Sequence, residues 1–193
     1  MQTPEQKLYH KQIPGWLGDG DMEAISCLAN RAPTGATIVE IGSMHGKSAC
    51  CLASAKPESI VFCFDFWPGN DIKASDGIIR LNTIERFIEY TKIYPNIIPI
   101  KIDSNLDYKW TGPSVDLFFI DAAHTNPTDW QSIEYWLPKI KSGGVICGHD
   151  YYTIERNNIV HFPDINENIA RLEKMLEKTV TVYEHSCVWS FTL

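Results

Sequence analysis

Residues 37–55 read TIVEIGSMHGKSACCLASA, and this stretch decides the fold. Its first five residues, Thr37–Ile41, are mostly the β-branched and apolar kind that forms a strand buried on both faces. Glycines at positions 42 and 46 mark a turn, and the small residues that follow suit a closely packed helix. This order predicts a parallel α/β sheet with a ligand at the turn, against the free amides of the helix near Gly46, Lys47 and Ser48.

Short apolar runs recur along the rest of the chain. They predict four further strands, at Ile60–Phe64, Ile97–Ile102, Val115–Ile120 and Val145–Cys147. The terminal segments TVTVYE and CVWSFTL, separated by His185 and Ser186, predict an antiparallel pair of strands. Right-handed crossovers make such an alternation a doubly wound, Rossmann-like, mostly parallel sheet, so the predicted fold class is α/β.

Segments of helical period lie between the predicted strands. We predict helices over residues 78–94, 127–140 and 163–178. The first would begin behind a cap at Asp76 and bury Leu81, Ile84 and Ile88. Irregular connectors leave the carboxyl ends of strands, where such sheets bind ligands, at residues 66–77, 103–114 and 150–162.

The chain of 193 residues predicts a single domain over residues 1–193. Residues 36–193 would form the core that carries the sheet and binds a cofactor. Residues 1–35 would form a cap segment, in which Trp16 and an apolar helical face fold across the same edge of the sheet.

Composition limits the partners and the compartment. The net charge of −7 disfavours a nucleic-acid binder, because a phosphate backbone attracts a positive field. The sequence has no apolar run of about 18 residues and no basic-then-apolar amino terminus, and its six cysteines form no C-x-x-C pair. We expect a cytoplasmic protein with a small-molecule partner, no nucleic acid and no membrane, and the sequence leaves a homo-oligomer open.

The glycine turn has three interpretations. A dinucleotide fingerprint needs glycines at 42, 44 and 47, where the chain has Gly42, Met44 and Lys47. A phosphate-binding P-loop needs four residues between its glycines, and the chain has three between Gly42 and Gly46. The third interpretation is a loop for S-adenosylmethionine, which presents a carboxylate and an ammonium group instead of a pyrophosphate. A tight turn with no ligand is the structural alternative.

Glu40 favours the third interpretation. A carboxylate at the end of the first strand suits the ammonium group of S-adenosylmethionine, directly or through water, whereas it would repel a triphosphate. Ser43 and Ser48 lie on the same turn, beside the amides of Gly42 and Gly46.

Asp65 follows the second predicted strand, 23 residues after Gly42, close to the spacing of about 20 residues at which a carboxylate binds a ribose. Two hydroxyl hydrogen bonds to a carboxylate would fix the sugar of any adenosine ligand. Trp67, Asp103 and Ser104 could supply contacts to adenine. Asp65 therefore indicates an adenosine ligand more than it indicates a reaction.

The fourth and fifth predicted strands end in VDLFFIDAAH and SGGVICGHDYY. Because neighbouring strands lie about 4.8 Å apart, Asp121 and Asp150 should converge, with His124 and His149 beside them. Two carboxylates so close repel each other unless a cation or a proton lies between them. We expect Mg²⁺ or another divalent cation, held by Asp121 and Asp150.

Either His124 or His149 could remove a proton from a substrate hydroxyl, because imidazole titrates near neutral pH. His45 and His161 are weaker candidates for this role. The apolar run before Asp121 could also be the magnesium strand of a nucleotide-binding phosphotransfer enzyme.

Together, VEIGSMHGKSA, CFDFW and FIDAAHTNPTDWQSIEYWLPKIKSGGVICGHDY resemble class I S-adenosylmethionine-dependent methyltransferases. The likeness is to the family related to macrocin O-methyltransferase and cephalosporin hydroxylase-like proteins, and it spans roughly residues 37–152. It implies a seven-stranded sheet with an antiparallel last strand. Related metal-dependent members often have two adjacent acidic residues where this chain has His149 and Asp150.

The resemblance also implies roles for the site residues. Glu40, Gly42 and Ser43 would border the methionine portion, Asp65 would hold the ribose, and Asp121 and Asp150 would hold a metal near the acceptor. We also place Asp121 among the residues that border the cofactor. The predicted function is O-methylation of a small molecule; the alternatives are a P-loop-like phosphotransfer enzyme and a noncatalytic module that binds an adenosine ligand.

Overall fold

A computed structural model describes residues 3–73, 77–102 and 107–193. The helices are α1 (Pro4–Gln12), α2 (Asp19–Arg31), α3 (Lys47–Ala55), α4 (Ile84–Thr91), α5 (Thr128–Trp136), α6 (Ile154–Asn157) and α7 (Pro163–Leu176). The strands are β1 (Thr37–Ile41), β2 (Ile60–Asp65), β3 (Asp71–Lys73), β4 (Ile79–Leu81), β5 (Ile97–Lys101), β6 (Val115–Ile120), β7 (Ile140–Gly148), β8 (Thr181–Val182) and β9 (Trp189–Thr192).

Seven strands form one sheet in the order β5-β2-β1-β6-β7-β9-β8. The first five of these are mutually parallel, and β9 runs antiparallel to both β7 and β8. The predicted α/β class, the five parallel strands and the antiparallel terminal pair are therefore confirmed. The strand order reverses between β1 and β6, and such a switch point opens a crevice at the carboxyl ends of the strands.

Apolar side chains cover both faces of the sheet. On one face, the small residues of α3 are fully buried against α2 and β1, so these elements approach closely. On the other face, the core centres on the aromatic ring of Trp136, which stacks on Phe118 at 5.5 Å between ring centroids. Burial of two faces explains why β1 and β6 are apolar along most of their length.

The helix predicted over residues 78–94 is wrong in its first half. Ile79–Leu81 form β4, which pairs antiparallel with β3, and Leu81 is half exposed. The helix begins only at Ile84, behind Thr83, whose hydroxyl accepts from the amide of Arg86. Pairing with β3 and a local cap therefore outweigh the helical spacing of the apolar residues. The cap predicted at Asp76 lies outside the described residues.

The amino-terminal segment lies against the carboxyl edge of the sheet. A side-chain carbon on Gly15 would lie 3.7 Å from both the Met44 and the Lys47 side chains, next to the glycine turn. Trp16 is 57% exposed, so it does not contribute a packed ring to this cap. Among the described helices, none combines the length and the apolar character that a membrane crossing requires.

Candidate active site

The turn after β1 is packed directly against the turn after β6. Gly42 has a φ of +86°, and its amide donates to the carbonyl of Phe64 at 2.9 Å. A side-chain carbon on Gly42 would overlap the carbonyl group of Asp121. Only glycine provides both this backbone conformation and this close approach, so Gly42 joins the ends of β1, β2 and β6 in one crevice.

Glu40 lies beneath this turn and is fully buried. The hydroxyl of Ser43 donates to Oε2 of Glu40 at 2.5 Å, but Oε1 has no hydrogen-bond partner among the described residues. Burial raises the pKa of Glu40, which the polar groups of Ser43, Ser48 and Cys63 only partly oppose. A buried carboxylate with an unused acceptor is a site for a cationic ligand group, because an unpaired buried charge is costly.

Asp65 at the end of β2 accepts hydrogen bonds from two turns at once. Its Oδ2 accepts from the amide of Met44 at 2.8 Å, and its Oδ1 accepts from the amide of Trp67 at 2.9 Å. Burial raises the pKa of Asp65, and these amides oppose the rise. The carboxylate fixes the glycine turn relative to the second strand, and each oxygen keeps a further lone pair for a hydroxyl donor.

The ends of β6 and β7 bring an imidazole between two carboxylates. Nε2 of His124 lies 3.0 Å from Oδ1 of Asp121 and 3.1 Å from Oδ2 of Asp150. Nδ1 of His149 lies 3.2 Å from Oδ1 of Asp150 and 3.9 Å from Oδ2 of Asp121. The four side chains, which we call the acidic centre, form one connected group.

Charge determines the protonation of the acidic centre. Burial opposes a charge on His124, but Asp121 and Asp150 outweigh it and raise the pKa of His124 to about 10. Burial likewise opposes a charge on His149, and Asp150 and Asp21 raise its pKa well above the ordinary value. Burial would raise the pKa of Asp150, but the two imidazoles hold it below its ordinary value. Without a cation, the neighbouring carboxylates thus favour the protonated form of both imidazoles.

Asp121, His124 and Asp150 can also hold a metal ion. One potential ligand atom from each lies within 4.8 Å of the other two. Neighbouring ligands of an octahedral Mg²⁺ with bonds of about 2.1 Å are separated by about 3 Å, close to the two distances from His124. Two carboxylates and one imidazole suit Mg²⁺, Mn²⁺ or Fe²⁺. The donor set therefore fits a divalent cation.

Aromatic rings border the acidic centre on the side of the 150–162 connector. The ring of Phe162 lies 4.8 Å from the ring of His124, and the ring of Tyr152 lies 4.9 Å from the ring of His161. An acceptor that approaches the centre from this side would meet apolar ring surface.

Residues 39–151 match a family described as a methyltransferase domain. The matched segment is more than half of the chain and contains the glycine turn, Asp65 and the acidic centre. The chain belongs to this methyltransferase family. The predicted resemblance to class I methyltransferases is thereby confirmed. No curated protein matches this methyltransferase.

Solved structures share the fold of the methyltransferase at low sequence identity. The O-methyltransferase NovP is 14% identical with a TM-score of 0.64, and the alignment covers 89% of this chain and 78% of NovP. A candidate caffeoyl-CoA O-methyltransferase from Staphylococcus aureus is 15% identical with a TM-score of 0.67, over 96% of this chain and 88% of that one. The candidate methyltransferase SMU.1697c from Streptococcus mutans, in complex with SAH, is 11% identical with a TM-score of 0.59, over 91% and 98%.

The structure of the methyltransferase brings most of the predicted site residues together. They lie at the ends of adjacent strands or on the glycine turn: Glu40, Gly42, Ser43, Asp65, Asp121, His124, His149 and Asp150. Ser48 is buried at the start of α3, beside Glu40. Asp103 and Ser104, predicted to contact adenine, lie outside the described residues.

Two of the predicted cofactor residues have partners within the protein. Trp67 is 2% exposed, with its ring on Phe87 and its indole nitrogen donating to the carbonyl of Met44 at 2.8 Å. The structure thus places Trp67 in the core, without a face open to adenine. The amide of Gly46 donates to the carbonyl of Ser43 at 2.7 Å, so it is already used within the turn.

Sequence reasoning missed Asp21 and the strained backbone of the site. Asp21, on α2, contacts His149, yet 128 residues separate the two in the sequence, and no local pattern connects them. Met44, His124 and Asp150 have φ values of +42°, +57° and +63°, in the left-handed region. Such backbone costs roughly 1–3 kcal/mol per residue and is concentrated at functional sites.

Proposed function

We propose that this methyltransferase uses S-adenosylmethionine to methylate a hydroxyl oxygen of a small molecule. The observation that carries the proposal is the unused buried oxygen of Glu40, which lies beside Gly42 and one strand from Asp65. A cationic group and a ribose are the two parts of the cofactor that carboxylates recognise, and these two carboxylates lie on adjacent strands.

When bound, S-adenosylmethionine supplies a methyl group on a positive sulfur, and the carbon–sulfur electron pair stays on sulfur as the acceptor oxygen bonds to carbon. Glu40 would face the ammonium group, and Asp65 would hold the ribose hydroxyls. The turn at Gly42 would hold the donor against the acidic centre. Alignment of the two reactants is worth on the order of 7–11 kcal/mol in well-oriented pairs, so these residues act mainly by position.

We propose that Asp121, His124 and Asp150 hold a divalent cation, which would lower the pKa of an acceptor hydroxyl bound beside it. Nε2 of His124 already lies close to both carboxylates, so we propose His124 as the third ligand of the cation. We propose His149 as the base that accepts the proton of the acceptor hydroxyl. The carboxylates that raise the pKa of His149 oppose a role as a base. A cation on Asp121 and Asp150 would neutralise two of the three carboxylates that raise the pKa of His149 and would weaken that opposition, while the carboxylate of Asp21 would remain.

A thermal-shift comparison tests the cofactor. S-adenosylhomocysteine at 100 times its Kd should stabilise the protein by about 2.7 kcal/mol, which is a rise in Tm of roughly 5–10 °C for a chain of this size. Mg-ATP should have no effect. Stabilisation by Mg-ATP alone would favour the phosphotransfer alternative and overturn the proposal.

Labelled S-adenosylmethionine tests the reaction. The protein is incubated with the labelled cofactor and small-molecule extracts, and methylated products are identified by mass spectrometry. Binding of S-adenosylhomocysteine without any transfer would favour the noncatalytic module that the sequence left as an alternative.

The cation is tested with Mn²⁺ as a paramagnetic probe. Wild-type protein should bind Mn²⁺ and broaden resonances near Asp121, and Asp121→Asn should lose most of this affinity. Asp71→Asn is the matched control, because Asp71 is an exposed carboxylate on β3. Equal affinity in both variants would remove the cation from the proposal.

We also propose a cytoplasmic location and a small-molecule acceptor. The six cysteines, all of them among the described residues, form no disulfide, which supports a cytoplasmic location. The negative net charge supports a small-molecule acceptor rather than nucleic acid.

A further inference from the structure

A further carboxylate lies against the acidic centre, on a residue outside the segment matched by the family. Asp21, in the first turn of α2, brings Oδ2 within 3.3 Å of Nε2 of His149. His149 is 4% exposed, and its Nε2 has no partner in hydrogen-bonding geometry among the described residues. The carboxylate of Asp21 is the acceptor that the structure places against this nitrogen.

Three donors hold the carboxylate of Asp21 in place. Oδ1 accepts from the hydroxyl of Ser186 at 2.8 Å and from the amide of Cys187 at 2.9 Å. Oδ2 accepts from the amide of Gly18 at 2.9 Å. A side-chain carbon on Gly20 would overlap the carbonyl of His185, so the start of α2 packs directly on the turn before β9.

His149 therefore lies between two carboxylates. Nε2 faces Asp21, and Nδ1 faces Asp150 at 3.2 Å. We propose that Asp21 is a positioning residue, which holds the ring of His149 at Nε2 so that Nδ1 stays turned towards Asp150 and the ends of β6 and β7, where the acceptor would bind. A carboxylate behind an imidazole commonly fixes its tautomer and orientation. The value of this arrangement to the reaction rests on the proposed function.

The hydrogen bonds of the Asp21 carboxylate make Asp21→Asn the substitution that tests its positioning role. In Asp21→Asn, an oxygen must still accept from Ser186 and Cys187, so the amide group takes the place of Oδ2. That amide is a donor, and it would face two further donors: the Gly18 amide, and Nε2 of His149, which carries its proton towards Asp21 in the wild-type protein. The substitution keeps the shape of the side chain and removes the acceptor behind His149.

Nuclear magnetic resonance of protein labelled with ¹⁵N-histidine measures the effect directly. His149→Gln assigns the His149 signals among the six histidines. In wild-type protein, Nε2 of His149 should carry a proton, and in Asp21→Asn the signal of that proton should shift or disappear. Asp19→Asn is the matched control, because Asp19 lies in the same turn of α2 but is exposed and pairs with Lys11.

Two results would overturn the proposal: a bare Nε2 in wild-type protein, or identical His149 signals in wild-type protein and a folded Asp21→Asn. If Asp21→Asn does not fold, Ser186→Ala takes its place, because it frees the carboxylate of Asp21 from one donor without removing it. The Nε2 signal of His149 should then shift from its wild-type position, and no shift would overturn the proposal.

Kinetics separate positioning from cofactor binding. With an acceptor from the labelled-cofactor screen, Asp21→Asn should lower kcat by about 10–100-fold and keep the KM for S-adenosylmethionine within about twofold. Unchanged kcat, or an equal loss of affinity for S-adenosylhomocysteine, would overturn the role. If wild-type protein fails to bind S-adenosylhomocysteine, the proposed function fails, and the resonance result still decides whether Asp21 orients His149.

Discussion

Replacing Gly42 by alanine should damage both the stability of the protein and its cofactor site. The left-handed backbone at φ +86° costs an alanine roughly 1–2 kcal/mol. The added carbon would also overlap the main chain of Asp121, which is held because its amide donates to the carbonyl of Ile41 at 3.0 Å. Overpacking against such fixed atoms adds about 1–3 kcal/mol, so the total loss should be about 2–5 kcal/mol.

Gly35→Ala separates these two costs. Gly35 has a φ of +71°, yet a side-chain carbon there would have no atom within 4 Å among the described residues. It should therefore lose only the backbone part, roughly 1–2 kcal/mol. Denaturant unfolding of both variants gives the difference, and calorimetry with S-adenosylhomocysteine gives the binding.

Gly42→Ala should weaken S-adenosylhomocysteine binding at least about tenfold, because relieving the overlap moves the turn away from β6. Gly35→Ala should bind with wild-type affinity. If the two variants lose equal stability, the close approach of the two turns contributes nothing, and the reasoning from Gly42 is refuted.

Three further predictions concern other charged groups. Asp65→Ala should weaken S-adenosylhomocysteine binding more than about tenfold in calorimetry, because its carboxylate would hold the ribose, whereas exposed Asp71→Ala should not. His10 is fully buried, and burial lowers its pKa to about 4, so the imidazole is neutral in the folded protein at neutral pH. The free energy of unfolding should therefore be complete above pH 6.5 and fall by up to about 3 kcal/mol towards pH 4. Urea unfolding across this pH range should show a smaller fall in His10→Gln. Asp116→Ala should lower the free energy of unfolding in urea by about 2–3 kcal/mol. The Thr37 amide and the Lys141 ammonium, each 2.8 Å from a carboxylate oxygen of Asp116, would lose their acceptor. A loss below about 0.5 kcal/mol would contradict this prediction.

The sequence predicted the layers of the fold better than its connectors. Thr37–Ile41 and Val115–Ile120 are apolar because the sheet buries both of their faces, and the predicted bounds match the strands of the structure. The segment that contains β4 and α4 was misjudged because its apolar residues have helical spacing throughout. Pairing with β3 is a contact between separated residues, which periodicity cannot report.

The candidate site divides in the same way. Gly42, Asp65, Asp121 and Asp150 follow strands directly, so their positions in the chain already place them at one edge of a parallel sheet. Trp67 follows a strand too, but packing against Phe87 took its ring into the core. Position along a strand predicts the edge a residue reaches, and only side-chain packing determines the direction of its side chain.

The sequence by itself determined the parallel sheet, the glycine turn and the acidic residues at the strand ends, because strand periodicity and turn chemistry act between near neighbours. Only the tertiary structure decided that His124 lies between Asp121 and Asp150, and that Asp21 reaches His149 across 128 residues of sequence. The physical reason is the separation of the interacting residues along the chain. Burial patterns and backbone preferences depend on residues near one another in the sequence, whereas ion pairs between separate elements depend on how those elements pack.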